Sequence, residues 1–319
     1  MKRFVIAGAV ALWAVAWAAS SPAEVMMGAH VGTPQDPDWQ AEFVGLETSI
    51  GRPLAIDSDY ADWAAFPDSP RIRWDIQTGH LPMQSWRVLF QDTDPNSCAT
   101  AAAINAGTYD TQLGRQAAEL KAFGAPILVR FNYEMTDNQE NTCFTGFPIL
   151  QNMALAGQEF ILAWRHVVGR FRAVGATNVK WVWAPGGDAY VKNYWQLFYP
   201  GDAYVDWIAI DEYNMVDALA SFATDPNILQ FYAAMSSNGK PLMISENGAL
   251  EDSTLDPDPQ TYWLNTAHTY LKAHPAITAF VYWDNDQTPP PPPYQGSGYV
   301  LEGLGLAAFK AMANDPYFN

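Results

Sequence analysis

The chain is short of positive charge. Its 319 residues hold 17 Lys and Arg against 34 Asp and Glu, a formal net charge of −17. A field of that sign repels nucleic acid and anionic membranes, and it disfavours polyanionic sugars. A neutral substrate remains. Cysteine is scarcer still, with only Cys98 and Cys143. No His, Cys and Asp cluster has zinc-site spacing, so neither a catalytic metal nor a cofactor is expected. No Gly-x-Ser-x-Gly occurs, which leaves a serine nucleophile unsupported. Gly28, Gly32 and Gly51 do not supply the glycine spacing of a phosphate-binding turn, which argues against a doubly wound dinucleotide fold.

Long apolar runs are also lacking, with one exception. Phe4 to Ala19 follows Lys2 and Arg3 and precedes Ser20-Ser21-Pro22. The run is short for a membrane span. With small residues at Ala16-Trp17-Ala18 and Ser21-Pro22-Ala23 as cleavage candidates, residues 1–23 read as a secretory signal. Residues 24–319 are then the working domain, expected to be secreted, extracellular or periplasmic, and a monomer. In a secreted chain two cysteines are expected to pair. A Cys98–Cys143 bridge would stabilise by about 4 kcal/mol in the chain-entropy model. The alternative is two buried free thiols.

What is present is a repeated strand–helix grammar. The strands expected are Val25 to Gly32, Arg52 to Asp57, Gly79 to Trp86, Pro126 to Asn132, Asn178 to Ala184, Val205 to Asp211, Pro241 to Ser245 and Ile277 to Trp283. Helical stretches separate them, among them Asp38 to Ile50, Asp110 to Phe123, Leu155 to Val174, Pro226 to Ser237, Asp258 to Ala273 and Gly303 to Ala313. Thr136 to Phe147 reads as a loop. Such alternation implies parallel strands joined by crossovers, and eight of them close a single (β/α)8 barrel. The five prolines at 289–293 leave too little chain behind them for a second domain, so they read as a stiff loop.

Two strands end on a carboxylate. Lys240-Pro241-Leu242-Met243-Ile244-Ser245-Glu246-Asn247-Gly248 runs from a turn into Glu246, and Ala125-Pro126-Ile127-Leu128-Val129-Arg130-Phe131-Asn132-Tyr133-Glu134 runs into Glu134. Polar residues at the C-terminal ends of barrel strands face the open top, where active sites sit. Two glutamates there suit glycoside hydrolysis, one as acid/base and one as nucleophile. Alone, either could cap a helix or pair with an arginine. Glu212 is a rival nucleophile, but strand alternation and its neighbour Tyr213 argue against it. His30 and His80 are candidates for hydrogen bonding in the cleft or for satisfied core positions. Arg130 points into the barrel, where it would neutralise buried carboxylates. The 13 Trp, 15 Tyr and 16 Phe are mostly core, although Trp at strand ends also offers flat faces to sugar rings.

These motifs, in this order, resemble glycoside hydrolase family 26. Arg130-x-x-x-Glu134-Met135 is similar to the family's acid/base segment. Trp181-Val182-Trp183-Ala184-Pro185, Val205 to Tyr213, Lys240 to Gly248 and Val281-Tyr282-Trp283-Asp284 are similar to its later strands. The resemblance implies Glu134 as acid/base, Glu246 as nucleophile and Tyr213 as donor to the nucleophile. It implies Trp283 stacked under the sugar at the cleavage point, with Trp183 and Trp86 lining the cleft. Arg130, Tyr133 and His30 join the expected substrate-binding set. Tyr133 replaces the family's usual His, Thr136-Asp137 replaces its Asn-Gly, and Glu212 stands where a small residue is common. The implied activity is retaining cleavage of a β-linked neutral polysaccharide, β-1,4-mannan first, with xylan and mixed-linkage β-glucan as alternatives. A non-catalytic carbohydrate-binding barrel is the alternative of another class.

Overall fold

The computed structural model describes residues 24–319 except 33–36, 92–93, 95, 137, 216–219, 253–254 and 286–297. The leader stretch 1–23, Asp137 and the five prolines at 289–293 lie outside the described residues. Eight parallel strands close a barrel in chain order. They are β1 (Met26–Val31), β2 (Ile56–Ala61), β3 (Leu81–Trp86), β4 (Ile127–Phe131), β5 (Val179–Trp183), β6 (Trp207–Asn214), β7 (Leu242–Ala249) and β8 (Ile277–Asp284). Around them run α1 (Trp39–Ile50), α2 (Ser69–Thr78), α3 (Ala101–Asn105), α4 (Asp110–Phe123), α5 (Asn138–Thr145), α6 (Met153–Val174), α7 (Asp188–Val191), α8 (Pro226–Met235), α9 (Pro259–Ala273) and α10 (Gly303–Ala313). Among the described residues no helix is long and apolar enough to cross a membrane.

Local chemistry sets these elements. Helix α9 begins where the Asp258 carboxylate accepts from the Thr261 amide at 2.8 Å, with Pro259 in the first turn. Helix α2 repeats the pattern with Asp68 and Pro70, and ends at Gly79 in the left-handed region, φ 93°. Along each strand the side chains alternate between the barrel axis and the helices. Ile56, Met83, Leu128, Val182, Ala209, Met243 and Ala279 fill the interior. Val129, Phe131, Trp181, Ile208 and Ile244 face outward and pack under the helices.

Two stretches depart from the sequence expectation. Strand β2 starts at Ile56, four residues later than expected, and reads Ile-Asp-Ser-Asp-Tyr-Ala. Its carboxylates are buried outside the barrel because Arg71 of α2 pairs with Asp57 at 2.6 Å and with Asp59 at 3.1 Å. The expected loop Thr136 to Phe147 contains α5, which carries Cys143. Cys143 is bonded to Cys98, with their Cα atoms 6.1 Å apart. The bridge ties the chain after β3 to the chain after β4, and both lead away from the barrel mouth.

Candidate active site

Strand β4 ends in a contorted turn. Asn132 and Glu134 both adopt positive φ, 44° and 48°. Non-glycine residues there are strained, and such strain gathers at functional sites. Backbone hydrogen bonds pin the turn on both sides: the Asn132 amide to the Trp86 carbonyl at 2.8 Å, and the Glu134 amide to the Ala184 carbonyl at 2.8 Å. The half-buried Glu134 is thereby fixed over the gap between β3 and β5.

Strand β7 reaches the same mouth by a different device. Its pairing with β8 slips between Ile244 and Asn247. An irregularity of this kind re-aims side chains. Ser245 bonds to Asp211 at 2.6 Å, while the next residue, Glu246, bonds to Arg130 at 3.2 Å. Consecutive residues therefore both face inward. The outcome is a cluster in which carboxylate oxygens of Glu134, Asp211 and Glu246 lie within 4.8 Å of one another. Three oxygens that close could also converge on a hard cation.

One guanidinium serves the two deeper acids. Arg130 is fully buried and donates to Glu246, Asp211 and the Ser85 hydroxyl. Burial is the main influence on both carboxyls. It pushes Asp211 up to about 6, against the opposing pull of Arg130 and Ser245. It pushes Glu246, 6% exposed, up to about 8. Burial also raises the Tyr213 phenol well above its ordinary value, with the negative charge of Glu134 as the next cause. Tyr213 and Trp283 meet edge to face, ring centres 5.8 Å apart, and both are half-buried.

The structure brings Glu134, Glu246, Tyr213, Trp283, Tyr133 and His30 to this mouth. It corrects other expectations. Trp86 and Trp183 are fully buried on the outward faces of β3 and β5. Trp86 stacks on Phe66 at 4.1 Å, and Trp183 donates to the Phe198 carbonyl at 3.1 Å. Strand alternation gives the inward positions to Ser85 and Ala184 instead, so neither indole lines the cleft. Arg130 has no surface to offer a substrate; it acts behind the carboxylates. His80 sits at the opposite rim, bonded to Glu47 at 3.0 Å and Thr78 at 2.8 Å. His30 is not a donor toward the cleft through Nδ1, which donates to the Ser58 carbonyl at 2.9 Å. Burial, with Arg71 and Arg130 nearby, lowers its pKa to about 3, so the ring is neutral.

Tyr213 is not the phenol that reaches Glu246. That hydrogen bond comes from Tyr60, near the end of β2. Tyr60 was hidden by the misplaced strand: with β2 ending at Asp57, it falls in a loop. The signal available was the alternation Ile56, Ser58, Tyr60, which places the phenol on the inner face. Tyr133 leans on the same group, its ring 5.6 Å from Tyr60 and 4.7 Å from the Arg130 guanidinium.

A model of glycosyl hydrolase family 26 matches residues 93–270. The chain is 28% identical over 276 residues to Endoglucanase H of Acetivibrio thermocellus, covering 82% of this chain and 28% of that protein. It is 21% identical over 225 residues to mannan endo-1,4-beta-mannosidase of Bacillus subtilis, covering 69% of this chain and 57% of that protein. It thus spans less than two thirds of either relative. Among solved structures, a Bacillus subtilis mannanase superposes with a TM-score of 0.67 at 16% identity, covering 94% of this chain and 87% of that one. A family 26 beta-mannanase from Bacteroides ovatus gives 0.64 at 16% identity, covering 93% and 90%. Those identities speak for a shared fold. The family match spans more than half of the chain, and the chain belongs to glycosyl hydrolase family 26.

Proposed function

We propose that this barrel is a retaining endo-glycosidase acting on a neutral β-linked polysaccharide, with β-1,4-mannan as its first substrate. The observation that carries the reading is the approach of Glu134 and Glu246, with oxygens within 4.8 Å. Retaining enzymes hold their two carboxyl groups about 5–5.5 Å apart, whereas inverting enzymes need roughly 6.5–9.5 Å to admit a water. Glu246 attacks the anomeric carbon as its bond to the leaving oxygen breaks, and Glu134 gives that oxygen a proton. Water then displaces Glu246, and Glu134 takes the water's proton. The half-buried Trp283 offers a ring beside the pair, and the net charge of −17 fits an uncharged sugar chain.

A second reading takes a β-glucan as substrate. The higher identity to Endoglucanase H, 28% against 21% for the mannosidase, favours it. A reducing-sugar panel on mannan, xylan and lichenan separates the substrates, and inactivity on all three favours the binding-barrel alternative. Proton NMR of the first product separates the mechanisms: the β anomer is expected, and initial α anomer overturns Glu246 as nucleophile. Glu134→Ala is expected to lose about 10²–10⁴-fold on polysaccharide. It should be milder on activated aryl glycosides, whose leaving groups need no proton, and azide should restore turnover.

A further inference from the structure

Glu246 has two carboxylate oxygens, and the structure treats them differently. Oε1 accepts from the Tyr60 hydroxyl and from Arg130 Nη1, the latter at 3.2 Å. Oε2 receives no hydrogen bond from the described residues. Tyr60 is itself held on two sides. The His30 ring meets it edge-on at 4.6 Å and the Tyr133 ring at 5.6 Å. His30 is anchored to the Ser58 carbonyl two residues before Tyr60, so β1 braces β2 at this point. Tyr133 directly precedes Glu134, and its ring also covers Arg130. The four side chains form one bracket around Oε1.

We propose that Tyr60 is the positioning residue of the nucleophile: with Arg130 it occupies Oε1, fixes the carboxylate plane, and leaves Oε2 as the attacking atom. The assignment rests on the retaining reading of Glu246. A carboxylate that rotates freely presents either oxygen at many angles, whereas one held through Oε1 presents Oε2 along one line. The phenol donates only to the ionised or outward-protonated carboxylate, so it also favours the charged form that attacks. Arg130 cannot do this alone, because Asp211 claims its other terminal nitrogen. Tyr213 is differently placed, its ring against Trp283 and Tyr299 at 5.8 and 5.2 Å.

Tyr60→Phe keeps the ring and its packing and removes only the hydroxyl. Two measurements test it. Difference infrared titration, with Glu246→Gln marking the band, follows ionisation of Glu246 without any turnover. The loss of a donor to a charged group should move that ionisation to higher pH by about one to two units. The acid limb of kcat/KM on an aryl glycoside should move up by the same amount, with a roughly 10–100-fold loss at neutral pH. Tyr213→Phe should lower the rate and leave the limb in place. An unmoved carboxyl band in Tyr60→Phe overturns the proposal, and so does a shift produced by Tyr213→Phe instead. Absence of turnover in the unaltered enzyme would count against the glycosidase reading, while the infrared result would still decide what Tyr60 does to Glu246.

Discussion

Two of the buried arginines, Arg71 and Arg130, each sit among several carboxylates, one on either face of the sheet. Arg71 lies outside, clamped on Asp57 by two bonds of 2.6 and 2.9 Å and on Asp59 at 3.1 Å, with Asp75 alongside. Arg130 lies inside, between Asp211 and Glu246. In both places acids outnumber the guanidinium, so burial pushes a carboxyl up: Asp59 to about 7 and Asp75 to about 10 outside, Asp211 to about 6 and Glu246 to about 8 inside. The electrostatics are alike. The difference is access. The outer cluster is closed by α2 and by Trp39, whose ring lies 4.5 Å from Arg71. The inner one opens past Glu134, Tyr213 and Trp283, all half-buried. A perturbed carboxyl is therefore a sign of function only when something can reach it.

Removing each arginine is the strongest test of that contrast. Arg71→Met and Arg130→Met each leave buried acids without their partner, which typically costs about 3–5 kcal/mol. The cost should shrink at low pH, where the orphaned carboxyls take up protons. Turnover corrected for the folded fraction should survive in Arg71→Met and fall at least about 100-fold in Arg130→Met. Urea melts at pH 5 and pH 8, paired with turnover measurements, read both quantities. A fully folded but inactive Arg71→Met would show that the outer cluster belongs to the site.

The aromatic residues repeat the contrast at smaller scale. Trp283 faces inward at the mouth and Trp86 faces outward under the helices. If Trp283 stacks on the substrate as proposed, Trp283→Ala should lower kcat/KM about 10–100-fold, a loss of about 1.4–2.7 kcal/mol in transition-state binding, and leave the melting temperature nearly unchanged. Trp86→Phe should do the reverse, losing about 1–3 kcal/mol of stability with catalysis intact. If Trp283→Ala unfolds the protein instead, its indole is core and the stacking role fails.

The same two faces explain how much could be read from the sequence. The eight-strand alternation was legible because most strands are apolar runs between turn signals, and α4 and α10 begin and end where their pattern says. Glu134 and Glu246 were legible because each breaks such a run at its C-terminal end. Strand β2 was not, because Asp57, Ser58 and Asp59 look like a turn until Arg71 from α2 is placed beside them. A partner supplied by another element leaves no local trace, and that one shift concealed Tyr60. Trp86 and Trp183 were misplaced for a related reason. A resemblance marks a strand end as interesting, but only the alternation of Ser85 with Trp86, and of Trp183 with Ala184, says which side chain faces the barrel interior.

Glu212 gives the smallest and sharpest comparison, because it adjoins Asp211 on β6 and points the opposite way. Its carboxylate accepts from Asn227 of α8 at 2.8 Å and fills the space above Gly187, where an added Cβ would lie 1.6 Å from Oε2. Burial, with Asp225 and Asp188 adding to it, raises its pKa from 4.5 to about 8. The folded state therefore holds this proton more tightly than the unfolded chain does. Its contribution to stability is complete below about 4.5 and is lost as pH rises through about 8. Glu212→Gln keeps an oxygen for Asn227 and removes the titration. The variant should melt with the unaltered protein at pH 4 and several degrees above it at pH 9. Its turnover should change less than about threefold, because the side chain faces α8 and not the mouth. Loss of turnover in Glu212→Gln, with activity kept in Glu246→Ala, would exchange the roles of the two glutamates. A melting difference equal at both pH values would instead place the stabilisation in packing and not in the buried charge.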